Sequence, residues 1–375
     1  MPRIRRVRWR PFRIPFRREF RAAYGTIDAR EGFVVQAEDA EGHSGLGEAL
    51  PLTAFTGETL DDAARFLGAW LGELAPGARS EAPATADWPD PPPSAAAAIE
   101  CALLDMAAHR SGRILARYIS RATETPGPPR SPVPVNGVLP IGEPAGIAEA
   151  ARGLWAEGFR TFKLKAGADR DANVAAVAAV RDALGPDAAL GLDANGAWTE
   201  DEAVRQLSAL RDFGLELVEQ PVAPGPGDLA AMARIREATG VPVAADESLA
   251  AGSVDIEAVL AAVDAVVLKP AIHGAAATHD LLRAAVKAGK RAIVTTTFDT
   301  GIGTALATHL AALLPEPRPA CGLDTLRFLE GDIVSGLPLI ADGCVSLSVR
   351  PGLGLSLDED ALERFATGPW HEVQA

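Results

Sequence analysis

TFKLKAG, residues Thr161 to Gly167, sets two lysines one residue apart in a segment that otherwise reads as a buried strand. Side chains on a strand alternate between two faces, so Lys163 and Lys165 point one way and Phe162 and Leu164 the other. One apolar face and one ammonium face on so short a strand fit a closed barrel, with the apolar set against outer helices and the lysines turned to the interior. The flanking sequence must then repeat the unit.

It does. From about residue 133, the runs PVPVNGVL, FRTFKLKAG, AALGLDANG, LELVEQPV, PVAADES, AVVLKPA and RAIVTTT each precede amphipathic helical sequence, and PACGLDT supplies an eighth strand. Strands separated by one helix each imply right-handed crossovers and a parallel sheet, and seven units in succession favour closure over an open sheet. The expected class is α/β, a (β/α)7β barrel of modified TIM type. Asp193 to Glu219 is 26 residues, Glu219 to Asp246 is 27 and Asp246 to Lys269 is 23, each close to one βα unit. These groups therefore recur at the C-terminal ends of successive strands, where such barrels build their sites. Three carboxylates directed into one crevice repel unless a cation joins them, and oxygen donors without nearby His or Cys suit Mg²⁺, with Mn²⁺ as the alternative. Each acid taken singly has another reading, as a helix cap or a partner for lysine; the whole set in register favours a site.

Composition narrows function further. The chain has 375 residues, 48% apolar and 23% charged, enough for a large domain and a smaller one. A net charge of −14 argues against nucleic acid, no apolar run is long enough to span a membrane, and the Arg-rich start lacks the apolar stretch of a signal peptide. A cytoplasmic protein is expected. Cys101, Cys321 and Cys344 read as reduced, packed thiols. Nine arginines among the first 21 residues are expected to form the solvated face of a first strand, VRWRPFRI, rather than a targeting arm. Of the 36 basic residues only five are lysine: Lys163, Lys165, Lys269, Lys287 and Lys290. A lysine amine can give up its proton and arginine cannot, so lysines kept against this bias in strand-like segments are candidates for proton transfer. His273 has two readings, at a helix start or lining the site.

The combination KLK, GLDANG, VEQP, AADES and LKP on successive strands resembles the enolase superfamily, in its muconate-lactonizing-enzyme subgroup. The resemblance implies an α+β capping domain over 1–125, a catalytic barrel over 126–330 and a tail over 331–375 that returns to the cap. Within the cap it implies closing loops at GLGEALPLTAFTGETL and AAYGTIDAREG. It assigns Asp193, Glu219 and Asp246 as metal ligands, Asn195 and Glu247 as auxiliary groups, Lys165 as the base and Lys163 as its electrostatic support; a neighbouring ammonium and the metal are expected to lower the pKa of the base. Lys269 would face the substrate from the opposite side. PLTAFTGET and CGLDTL resemble the o-succinylbenzoate synthases, which implies loss of water from a cyclohexadiene carboxylate, with Phe55, Thr56, Thr296 and Thr297 at the substrate and Thr295 in the same run. N-acylamino acid racemases and dipeptide epimerases are the alternatives, although Gly322 stands where epimerases carry the first acid of an Asp-x-Asp pair, leaving Asp324 alone. A barrel without catalysis, acting as a binding module, is the non-enzyme alternative. The expected partner is a small carboxylate substrate, with no nucleic acid or membrane, and a homo-oligomer stays open.

Overall fold

The apolar runs form seven short parallel strands, Asn136–Leu139, Thr161–Lys165, Ala189–Asp193, Leu215–Glu219, Val243–Ala245, Ala265–Leu268 and Arg291–Val294, paired in chain order. The computed structural model describes residues 4–22, 25–73, 91–123, 125, 127–250 and 255–374. Each strand leads into a helix, from Pro144–Ala156 after the first to Gly301–Ala311 after the seventh. Local signals set the helix starts. Asp169 accepts the N–H groups of Asp171 and Ala172, and Thr199 with Glu202 forms a reciprocal cap.

Closure comes from the expected eighth segment, reduced to bridging residues. Cys321 pairs with Val135 beside the first strand and Gly322 with Thr295 beyond the seventh. The N–H of Asn136 donates to Cys321 O and that of Gly322 to Val294 O, both at 2.9 Å. Phe162 and Leu164 are buried among the residues facing the helices, as alternation requires. Leu217, Ala244, Ala265, Val267 and Ile293 form a separate inward cluster.

Ahead of the barrel, Ile4–Ala22, Gly25–Asp39 and Ser44–Ala49 make an antiparallel sheet, and His371–Gln374 from the tail adds to its edge. Helices Leu60–Glu73 and Pro93–Arg110 pack on it around Val7, Trp9, Phe33, Val35, Trp70 and Ile99. The loop expected at GLGEALPLTAFTGETL is a strand in its first half. A Cβ at Gly45 would lie 2.2 Å from Ala102 O and one at Gly47 1.9 Å from Ala98 O, so the two glycines let this strand rest directly on the helix. AAYGTIDAREG is likewise strand from Gly25 onward, while Ala23 and Tyr24 lie outside the described residues.

The arginine-bearing first strand also differs from a simply solvated face. Arg6 pairs with Glu38 at 2.7 Å, Arg8 with Glu359 and Arg10 with Glu363 at 2.8 Å, and Arg8 stacks on Trp370. The returning tail covers the stems of Arg8 and Arg10, leaving those side chains only 16% and 12% exposed. The three cysteines are free thiols, two of them buried, and among the described residues no helix is long and apolar enough to cross a membrane.

His309 ties the seventh helix to its surroundings: its Nδ1 accepts the Ala116 N–H at 3.2 Å and its Nε2 faces Leu353 O at 3.4 Å. Burial lowers its pKa from 6.5 to about 4. Between those values the unfolded ring binds a proton that the folded ring refuses, so this contribution to stability is complete above pH 6.5 and is lost as pH falls toward 4. Urea unfolding across that window should show His309→Gln losing about 3 kcal/mol less than the parent, and parallel slopes would contradict this account.

Candidate active site

Strand register assembles the predicted residues. Lys165 pairs with Asp193, Asp193 with Glu219 and Glu219 with Ala244 across adjacent parallel strands. Paired residues face the same side, as do residues two apart along one strand. Glu219, Asp246, Lys269 and Thr295 thus each stand two positions beyond a member of the inward apolar cluster, one layer nearer the barrel mouth.

Seven charged side chains meet at that layer. Lys163 donates to both oxygens of Glu219 at 3.0 and 3.2 Å and lies 3.3 Å from Asp193. Lys165 donates to Asp193 at 2.6 Å and to Asn195 Oδ1 at 2.9 Å, and Lys269 binds both oxygens of Asp246. Asn195 passes the chain of contacts on to Glu247 Oε1 at 2.9 Å. Burial works against the charge on Lys163 and Lys269, but the surrounding carboxylates outweigh it and raise both. Asp193 is lowered, because Lys165 and Lys163 outweigh its burial. Burial and neighbouring acids push Glu219 up to about 8 and Asp246 up to about 6, and raise Glu247.

Four carboxylates against three ammoniums leave the layer short of positive charge, and Glu247 Oε2 is buried without a hydrogen-bond partner. An all-oxygen donor set of this kind fits a hard divalent cation. The oxygens it would bind are those now held by lysine. Among the described residues the one set of three ligand-type side chains with donor atoms all within 4.8 Å of one another is Asp39, Glu41 and His43, in a cap turn. That set staples the turn: Asp39 accepts the N–H groups of Glu41 and His43, and Arg110 already sits 3.1 Å from Glu41.

The open cavity at the charged layer, about 520 Å³ with the solvent space at its mouth included, is lined by Lys163, Lys165, Asp193, Asn195, Glu219, Asp246, Lys269 and the threonine run. From the cap, Phe55 reaches in and places its ring centroid 4.0 Å from Lys269 Nζ. Two cap residues hold that loop in place. Arg30 donates to the carbonyls of Leu50 and Pro51, and Glu48 accepts the N–H groups of Thr300 and Gly303 at the start of the seventh helix. Thr296 donates to Gly322 O and lies 2.6 Å from Thr325 Oγ1, while Thr297 donates to Asp299 at 2.5 Å.

Two expected residues do not line the cavity. Thr56 caps its own loop, accepting the Glu58 N–H at 3.2 Å, and Glu247 reaches the site by accepting the Asn195 side-chain N–H. His273 ends the short helix Pro270–His273 and accepts the Lys269 N–H at 3.1 Å, outside the lining. Leu52, Val138, Phe298 and Thr325 line the cavity unforeseen. Thr325 closes the GLDT motif and so was within reach of sequence reasoning, but Phe298, held at φ 61°, carried no sequence signal.

Residues 146–361 match the family described as Enolase C-terminal domain-like, and residues 4–106 match MenC, N-terminal domain. The chain belongs to the enolase superfamily. Within the superfamily it is 41% identical over 212 residues to the o-succinylbenzoate synthase of Thermobifida fusca, an alignment spanning 56% of this chain and 64% of that one. It is 31% identical to the hydrophobic dipeptide epimerase of Enterococcus faecalis over 94% of this chain and 99% of that one. A solved dipeptide epimerase from that organism, complexed with Mg and the dipeptide L-Leu-L-Tyr, superposes with a TM-score of 0.80 at 29% identity over 94% of this chain and 99% of that one. The N-succinyl Arg/Lys racemase of Bacillus cereus superposes with a TM-score of 0.88 at 25% identity, over 99% of this chain and all of that one.

Gly322 packs closely on Thr295. A Cβ there would lie 2.2 Å from Thr295 Oγ1 and 2.9 Å from Thr295 Cβ, so no side chain fits beside the threonine. Gly322→Ala should cost about 1–3 kcal/mol by overpacking, and Thr295→Ala in the same chain should return part of it; thermal unfolding of the double-mutant cycle measures the coupling.

Proposed function

We propose that this protein dehydrates 2-succinyl-6-hydroxy-2,4-cyclohexadiene-1-carboxylate to o-succinylbenzoate, a step of menaquinone synthesis, within the cytoplasm. The observation that carries the reading is the pairing of Gly322 with Thr295. It leaves no room for the first acid of the pair that would hold a substrate ammonium, and the remaining Asp324 is engaged by Arg327 at 2.6 Å. An amine-bearing dipeptide would therefore lack its counter-ion, while a dicarboxylate meets ammonium and hydroxyl groups. The match of residues 4–106 to the MenC N-terminal domain supports the same choice.

In this reading Asp193, Glu219 and Asp246 hold Mg²⁺, with Glu247 and Asn195 behind them. When bound, the cation supplies positive charge to the substrate carboxylate as negative charge builds on it. Lys165, near the C-terminal end of its strand, takes the proton α to that carboxylate and returns one to the departing hydroxyl on the same face. Lys163, bonded to both oxygens of Glu219, keeps a fixed positive charge behind the base. Lys269 stays protonated across the barrel, with Phe55 over it closing the cavity from the cap. The threonine run faces the distal carboxylate, and a hydroxyl there donates to it by leaving its present acceptor, Gly322 O or Asp299. Residues 1–125, 126–330 and 331–375 then act as cap, catalytic barrel and returning tail.

A second reading, racemization of an N-acylamino acid, draws on the full-length likeness to the N-succinyl Arg/Lys racemase and on a lysine at each side of the site. Racemization needs Lys165 and Lys269 both to exchange protons, whereas dehydration needs only the charge of Lys269. With Mg²⁺ present, Lys165→Ala should lower dehydration at least ~10³-fold. Lys269→Arg should keep more dehydration than deuterium exchange into N-succinyl amino acids, because arginine keeps its proton. Wild-type turnover of the cyclohexadiene by Lys165→Ala would overturn the assignment.

A further inference from the structure

One buried glutamine, through its backbone and its carboxamide together, touches all three strand ends that carry the proposed ligands. Gln220 follows Glu219 directly and is fully buried. Its backbone N–H donates to Ala244 O at 2.8 Å, two residues before Asp246, and its carbonyl accepts the Gly196 N–H at 2.7 Å, three residues after Asp193. Its side chain completes the junction. Oε1 accepts the N–H of Asp246 at 3.0 Å and of Ser248 at 3.2 Å, and Nε2 donates to Val222 O at 2.9 Å and Ser248 Oγ at 2.7 Å. Ser248 in turn donates to Asp228 at 2.6 Å.

A carboxamide offers two acceptor positions and two donor hydrogens, and here all four are used. The partners also fix its orientation, since two N–H groups face one end and a carbonyl faces the other. Glutamate would set a second oxygen against Val222 O, and methionine would offer no hydrogen bond at either end. Gln220 moreover sits at φ 37°, a left-handed conformation uncommon for a residue with a side chain, held between bonds to its own strand and both neighbours.

We infer that Gln220 is a positioning residue whose side chain sets the spacing of Glu219 and Asp246 for cation binding. The inference rests on the proposed cation site. It assigns Gln220 no contact with the cation or substrate: the carboxamide ties the backbone at Asp246 to the end of the Glu219 strand, and loosening it lets those two carboxylates drift apart.

Mn²⁺ titration of the full chain, followed by the electron paramagnetic resonance of free Mn²⁺, tests this without reference to turnover. Gln220→Met should bind Mn²⁺ about 10- to 100-fold more weakly than the parent. Val180→Ala, a core change away from the site, should bind as the parent does even where it lowers stability comparably. In the metal-free protein, the amides of Asp246 and Ser248 should exchange hydrogen roughly tenfold faster in Gln220→Met. If that variant does not fold, Ser248→Ala removes one of the four bonds and should weaken Mn²⁺ binding in the same direction. Parent-like affinity in Gln220→Met, or an equal loss in Val180→Ala, overturns the inference while leaving the site intact. Mn²⁺ binding that Asp246→Asn does not alter overturns the cation site itself, and the role of Gln220 with it.

Discussion

Four carboxylates and three ammoniums, all largely withdrawn from water, share one layer of the barrel, and the rest of the structure is arranged around keeping them paired. Removing such ions from water costs several kcal/mol each, a penalty that pairing must offset. Lys163 does this by serving Glu219 and Asp193 together, and Lys269 by binding both oxygens of Asp246. The acids still outnumber the cations, and the unpartnered oxygen of Glu247 marks where the deficit lies. A compact ammonium with three donors suits this bridging better than the planar fork of arginine, and three of the five lysines in an arginine-rich chain stand here.

The layer also needs a lid, and buried polar groups connect the lid to the barrel. Glu48 leaves the last strand of the cap sheet and accepts N–H groups at the start of the helix that follows the threonine run. Burial and the nearby Asp299 push its pKa up to about 8, against the hydrogen bonds from Thr300 and Gly303, which favour the ionised form. Arg30, one strand away, holds the carbonyls at the beginning of the loop that ends in Phe55. The phenyl ring over Lys269 is thereby placed by the cap sheet and by the barrel together.

The barrel was legible because its signal is periodic. Apolar runs at one-helix intervals implied seven strands, alternation turned Lys163 and Lys165 inward, and the spacing of Asp193, Glu219, Asp246 and Lys269 put them on one rim. Contacts that depend on close approach of distant segments were not legible. Gly45 and Gly47 read as loop residues until the helix lying on them explained why they are glycine in a strand. Arg8 and Arg10 read as a solvated face because the tail that covers them lies some 350 residues away in sequence. Thr56 and Phe55 adjoin in one motif, yet only the ring enters the cavity, since the hydroxyl is taken by its own turn.

By itself, the sequence determined which residues could carry the chemistry and at which strand ends they lie, because side-chain alternation and the length of a βα unit are local properties of the chain. Tertiary structure alone decided the pairings among them, the position of Phe55, the room that Thr295 leaves at Gly322 and the junction made by Gln220. Each of these depends on distances between segments far apart in sequence, set by how the strands register and how the cap rests on the barrel, and no local pattern encodes such a distance.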